Sequence, residues 1–279
     1  MWLSASVPAA LVWALLTPLV FVGCIYVCKP ARALRDEPRE ILRRIGVISL
    51  ICLLWPVLLF VCFNDSLREG PDFSVWLGVG FGLRAYFALA SCLMIIVTLF
   101  LGPLLTFAYS TEPEQGTSFD LKSVRGYIAA PIFEELVFRS CLITVLLASG
   151  FSGVASVLVS SLIFGLAHIH LLLESPKGER LKRLPASLFQ CCFTALFGAI
   201  VGGMFWRTGS LYGPIAVHSF CNLMSVPDLS FLAPGHSAYK HKKCLLAAYC
   251  VGIGGFFVLW TYLLEPGLYQ SWHYTLSSL

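Results

Sequence analysis

The sequence predicts an all-α protein, a polytopic transmembrane helical bundle of about eight spans, and three observations carry that prediction. Hydrophobic residues make up 58% of the 279 and charged residues 12%, about half the charge of an average soluble chain. Nineteen basic and 15 acidic side chains are too few to coat a water-soluble domain of this length. Apolar runs recur at the length a helix needs to cross the hydrocarbon layer, roughly 20 residues. Finally, every Lys and Arg except Arg68, Arg84, Arg139 and Arg207 falls in alternate connections between those runs. Such a composition excludes a soluble enzyme, a disordered chain and a nucleic-acid binder, and the net charge of +4 is read as membrane topology.

The first run, 7–28, has no basic start and outlasts a signal-peptide core, so it is read as a span. The others follow at 46–63, 81–109, 127–149, 154–173, 186–206, 210–226 and 244–264. The third is long and holds Gly102-Pro103, where a bend is expected. The seventh is short and starts at Gly213-Pro214. Basic residues gather in the odd connections: Lys29, Arg32, Arg35, Arg39, Arg43 and Arg44; Lys122 and Arg125; Lys177, Arg180, Lys182 and Arg183; Lys240, Lys242 and Lys243. Those connections are therefore placed in the cytoplasm, with both termini on the far side. Asn64-Asp65-Ser66 is a glycosylation acceptor pattern in a connection assigned to the lumen. With no internal repeat and short connections, residues 1–279 are read as a single membrane-embedded domain. The 11 cysteines form no C-x-x-C pair and are read as small buried hydrophobes.

Ionisable side chains inside spans are costly and mark functional sites by default. Glu134, Glu135, Arg139, His168 and His218 are the cases here, with His170 at a boundary. Glu135 and Arg139 are four apart with the acid first, the favoured order for a helical ion pair. Glu134 then points about a hundred degrees away, with no partner on its own helix. Phe164 and His168 share one helical face, and His218 and Asn222 share another. At 1.5 Å per residue, Glu134, His168, His218 and Asn222 lie at roughly one depth on the cytoplasmic side. Taken singly, each has a structural explanation: an interhelical ion pair, a histidine bonded to a carbonyl, an amide joining two helices.

Together they permit hydrolysis. A carboxylate withdrawn from water holds a proton more readily and so serves as a general base closer to neutral pH. One histidine can share the proton and help to hold a water, while the other, with an amide, donates to an oxyanion. Ser140, Ser219, Cys141 and Cys221 fall on other helical faces, so direct attack by water on an amide or ester carbonyl is the economical mechanism. Two alternatives stay open on the residues alone. Glu plus two His could ligate a catalytic metal, although the H-E-x-x-H pattern is absent. The same groups could form the relay of a proton-coupled transporter.

Three patterns carry a resemblance. Glu134-Glu135-Leu136-Val137-Phe138-Arg139, Phe164-Gly165-Leu166-Ala167-His168 and His218-Ser219-Phe220-Cys221-Asn222 occur in order on separate spans. Here the chain resembles the CAAX-protease and bacteriocin-processing membrane enzymes, and among them the Ras-converting, type II prenyl endopeptidases of eukaryotes. The resemblance covers about residues 120–226, which it marks as the catalytic core. It implies removal of the last three residues from farnesylated or geranylgeranylated CaaX proteins, such as Ras-type small GTPases, at the endoplasmic reticulum membrane. Members acting on unprenylated peptides would carry the same patterns. It further implies that Glu134 activates water with His168, that His218 and Asn222 stabilise the oxyanion, and that neither a metal nor another cofactor takes part. Glu135, Arg139 and Phe164 would support the site. The basic stretches 177–183 and 240–243 would face anionic headgroups or the substrate's carboxylate, with plain topology as their commoner use.

Overall fold

Large apolar side chains on the outside of the helices show what medium the chain folds in. Leu19, Leu53, Leu162, Leu196, Val251 and Phe257 are each at least 60% exposed, an arrangement that water would penalise and lipid tails accept. The computed structural model describes residues 6–26, 35–62, 71–110 and 119–277, and among these every regular element is helical. Ten cysteines in the described residues are free thiols. The Asn64 acceptor pattern, Lys29 and Arg32 lie outside the described residues.

Among the described residues, five helices are long and apolar enough to cross a membrane: Val7–Tyr26 (α1), Pro38–Cys62 (α2), Gly153–Leu172, Arg180–Thr208 and Tyr239–Leu263. Leu83–Leu99 (α3) and Leu101–Tyr109 (α4) make a sixth if counted together across their 59° bend. The break falls at Phe100, just before the Gly102-Pro103 step where a bend was expected. Proline at position 103 cannot donate to the carbonyl four residues back, which loosens the ladder there. Gly102 is required for a second reason, because the ring of Tyr249 occupies the space a Cβ would fill.

The expected count of about eight spans becomes five or six by this measure, and the two remaining segments fall short for physical reasons. Residues 121–148 (α5) are helical throughout but carry Glu134, Glu135 and Arg139 in their middle, and they widen into π turns at Arg125–Ala129 and Glu135–Ile143. Tyr212–Met224 (α8) has 13 residues, about 20 Å of helix against roughly 30 Å of hydrocarbon. It stops at Ser225, which takes a positive φ of 59°. Both short-falling helices bear candidate site residues.

α5 is the central element. Asp120 caps its start, accepting from the backbone N–H of Lys122 and Ser123, each at 3.0 Å. These bonds, the Ser123 amide foremost, hold the Asp120 carboxyl below its ordinary range. Val137, Phe138, Cys141, Leu142, Val145 and Leu146 then bury against α1 and α2. Behind α5, the helix Gly153–Ala167 (α6) packs closely on Arg180–Thr208 (α7). A Cβ at Gly165 would stand 2.5 Å from the Cys191 carbonyl oxygen, so the small residue is what lets the two backbones approach. The last spanning helix, Lys242–Leu263 (α9), covers α3 and α4.

Candidate active site

The end of α6 and the middle of α8 face the π-helical stretch of α5. Wide π turns recur where a helix must aim side chains that a regular helix would not. Here Glu134 ends an α-helical turn and Glu135 opens the nine-residue π segment. Glu135 is buried, and its Oε2 lies 3.1 Å from Nε of Arg139, as their spacing predicts. Its Oε1 makes a contact the spacing does not reveal, accepting from Nδ1 of His218 at 2.7 Å.

The two acids therefore meet one imidazole from opposite edges. Glu135 holds Nδ1, and Glu134 Oε2 stands 3.9 Å from Nε2 of the same ring. This is too long for a direct hydrogen bond and close enough for one water to bond both groups. Glu134 keeps 20% of its side chain exposed while Glu135 keeps none. The expectation that the pair diverges holds for the helical faces, yet the carboxyl groups converge on His218.

What each histidine touches fixes the role of its Nδ1. Carbonyl and carboxylate oxygens only accept, so Nδ1 of His168 donates to the Phe164 carbonyl at 2.9 Å and Nδ1 of His218 donates to Glu135. Each ring presents Nε2 as its remaining nitrogen. Phe164 binds the group together: its ring lies under the Arg139 guanidinium at 4.0 Å and edge-on to His168 and His218 at 5.0 and 6.2 Å. Arg139 is thus balanced by Glu135 and by an aromatic face. Asn222 donates one amide hydrogen to the Gly126 carbonyl at 2.9 Å, which leaves its second hydrogen for another acceptor.

Glu134, His168, His218 and Asn222 all line one cavity of about 310 Å³. A larger chamber of about 770 Å³ adjoins it and shares Phe164, His168, Gln190, His218 and Asn222. Its other walls are apolar, among them Ile96, Phe100, Phe193, Phe197 and Ile200. Several contributors were not picked out from the sequence. Phe197 packs edge-on to His218 at 4.9 Å, and Gln190 lies between the two chambers; neither is ionisable, so nothing drew attention to them. Arg35, Arg44 and Arg125 line the smaller cavity, whereas the described residues of 178–183 and 240–243 do not.

Fold and cavity define the class: a polytopic helical membrane protein with an acid–imidazole site enclosed by its helices. The sequence model for the family described as "Type II CAAX prenyl endopeptidase Rce1-like" matches residues 118–224, the stretch holding all three patterns. The chain is 31% identical over 271 residues to "CAAX prenyl protease 2" of Homo sapiens, covering 90% of this chain and 80% of that protein. To the protein of the same name in Saccharomyces cerevisiae it is 28% identical over 256 residues, covering 77% and 80%. To that of Arabidopsis thaliana it is 38% identical over 150 residues, covering 52% and 45%. No solved structure matches the chain. The chain belongs to the type II CAAX prenyl endopeptidase family.

Proposed function

We propose that this chain is an intramembrane endopeptidase that removes the last three residues from prenylated C-terminal CaaX proteins, Ras-type small GTPases among them, at the endoplasmic reticulum membrane with its site open to the cytoplasm. The observation that carries the reading is the convergence of Glu134, His168, His218 and Asn222 on one cavity beside an apolar chamber, in a chain of this family. The skew of basic residues toward alternate connections supports the orientation. The catalytic core is residues 120–226, within one membrane-embedded domain.

In catalysis the attacking water is held by Glu134 and His168, which line the same cavity. Glu134 takes its proton as the oxygen attacks the scissile carbonyl, and Nε2 of neutral His168 accepts the water's second hydrogen bond. The tetrahedral oxyanion receives the free amide hydrogen of Asn222 and, with both ring nitrogens protonated, the Nε2–H of His218. Collapse passes the proton from Glu134 to the leaving amine, which departs as the free tripeptide. Glu135 aims His218 by holding Nδ1, and the prenyl chain occupies the apolar chamber. Withdrawing hydrocarbon from water is worth about 0.8 kcal/mol per methylene, so a prenyl group concentrates the lipidated substrate at the membrane, where the apolar chamber receives it.

The test compares one CaaX peptide with and without a farnesyl group on its cysteine, using membranes that carry the protein. At least about a hundredfold higher kcat/KM is expected for the farnesylated peptide. Equal turnover of the two would overturn the prenyl assignment and leave a general peptidase.

A further inference from the structure

The two chambers that meet at the histidines differ in charge. Among the described residues the larger one has no Asp, Glu, Lys or Arg in its lining. The smaller one has three guanidiniums, from Arg35, Arg44 and Arg125, against a single acid, Glu134. A prenylated CaaX terminus is also two-ended: hydrocarbon on the cysteine, and three residues later a free carboxylate. We propose that Arg35 and Arg125 bind that terminal carboxylate, so that the site counts three residues back from the chain end. This inference rests on the peptidase reading and deepens it.

Arg125 is placed for the task. It stands on α5 one residue before Gly126, whose carbonyl anchors Asn222. Nine residues of helix separate it from Glu134, about 13 Å along the axis. Three extended residues span about 10 Å, and the arginine side chain covers the remainder. Nη1 of Arg125 donates to the Arg35 carbonyl at 3.0 Å, which ties the two residues together at the same end of the cavity. Asp36 accepts from Nη2 of Arg125 at 3.0 Å and lies 3.9 Å from Lys122. Arg35 is next to Asp36 in the chain, and Asp120 stands beside Lys122, so in this group of described residues three cations face two acids and one positive charge is left for an added anion. Deeper in, Glu40 bridges Arg43 and Arg44. Guanidinium forks match a carboxylate in shape as well as charge.

The experiment uses one farnesylated CaaX peptide in two forms, with a free C-terminal carboxylate and with a C-terminal amide. kcat/KM is measured for the wild type, for Arg35→Gln, and for the Arg35→Gln/Arg125→Gln double variant of the full chain in proteoliposomes. The wild type is expected to prefer the acid by about 10- to 100-fold, the worth of a charged hydrogen-bonded contact. That ratio is expected to shrink in Arg35→Gln, whose side chain is exposed and not needed for packing, and to approach one in the double variant. Equal cleavage of acid and amide by the wild type overturns the carboxylate site while leaving the peptidase reading in place. A ratio that survives both substitutions, with both rates lowered alike, assigns the arginines a structural role and likewise overturns it. Failure of the wild type to cleave either peptide would remove the peptidase reading and this inference with it.

Discussion

Replacing Glu134 with glutamine is expected to lower kcat for a farnesylated peptide by about a thousandfold, near 4 kcal/mol of lost transition-state stabilisation. The amide has the shape of the acid but cannot take a proton from water, so KM is expected to change little. The protein is expected to remain folded, because Glu134 is partly exposed and makes no direct hydrogen bond among the described residues. Thermal unfolding in detergent, run beside the kinetics, checks this. A Glu134→Gln protein keeping a tenth or more of wild-type kcat would show that another group acts as the base.

Glu135→Gln is expected to fail differently, losing stability together with activity. The carboxylate neutralises Arg139, whose side chain is 1% exposed, and whose terminal nitrogens find no acceptor among the described residues. Removing one partner of such a buried pair costs about 3–5 kcal/mol, because the other charge is stranded. Exchanging both partners for apolar side chains of similar size is far milder. Glu135→Leu/Arg139→Met is therefore expected to recover most of the unfolding midpoint lost in Glu135→Gln. Activity is not expected to return, since Nδ1 of His218 no longer has an acceptor to fix its ring. If the double variant recovered turnover along with stability, Glu135 would be an ion-pair partner with no part in aiming His218.

Much of this arrangement is legible in the sequence, and the rest is hidden for identifiable reasons. Acids and histidines inside apolar runs are visible because hydrocarbon makes them expensive, so Glu134, His168 and His218 stand out without any structure. The Glu135–Arg139 pair is local, four residues along one helix, and the bend near Pro103 follows from a missing N–H. By contrast, the bond from His218 to Glu135 spans 83 residues, and no periodicity encodes it. The π turns of α5 are equally silent, although they set which way the two neighbouring carboxyl groups face. Counting apolar runs gives about eight spans where helix length and composition give five or six, because a run such as 210–226 yields a 13-residue helix. Arg35 and Arg125 look like ordinary topology signals until the fold brings them to the cavity wall.

The most direct test of the central claim is whether a covalent intermediate forms. The wild-type protein is mixed in excess with a farnesylated CaaX peptide, quenched during the first turnover, and weighed intact by mass spectrometry. If a water activated by Glu134 attacks the peptide carbonyl, the protein mass is unchanged at every time point while free tripeptide accumulates. A peptidyl adduct on any serine, cysteine or glutamate, appearing and decaying at the rate of turnover, would contradict it.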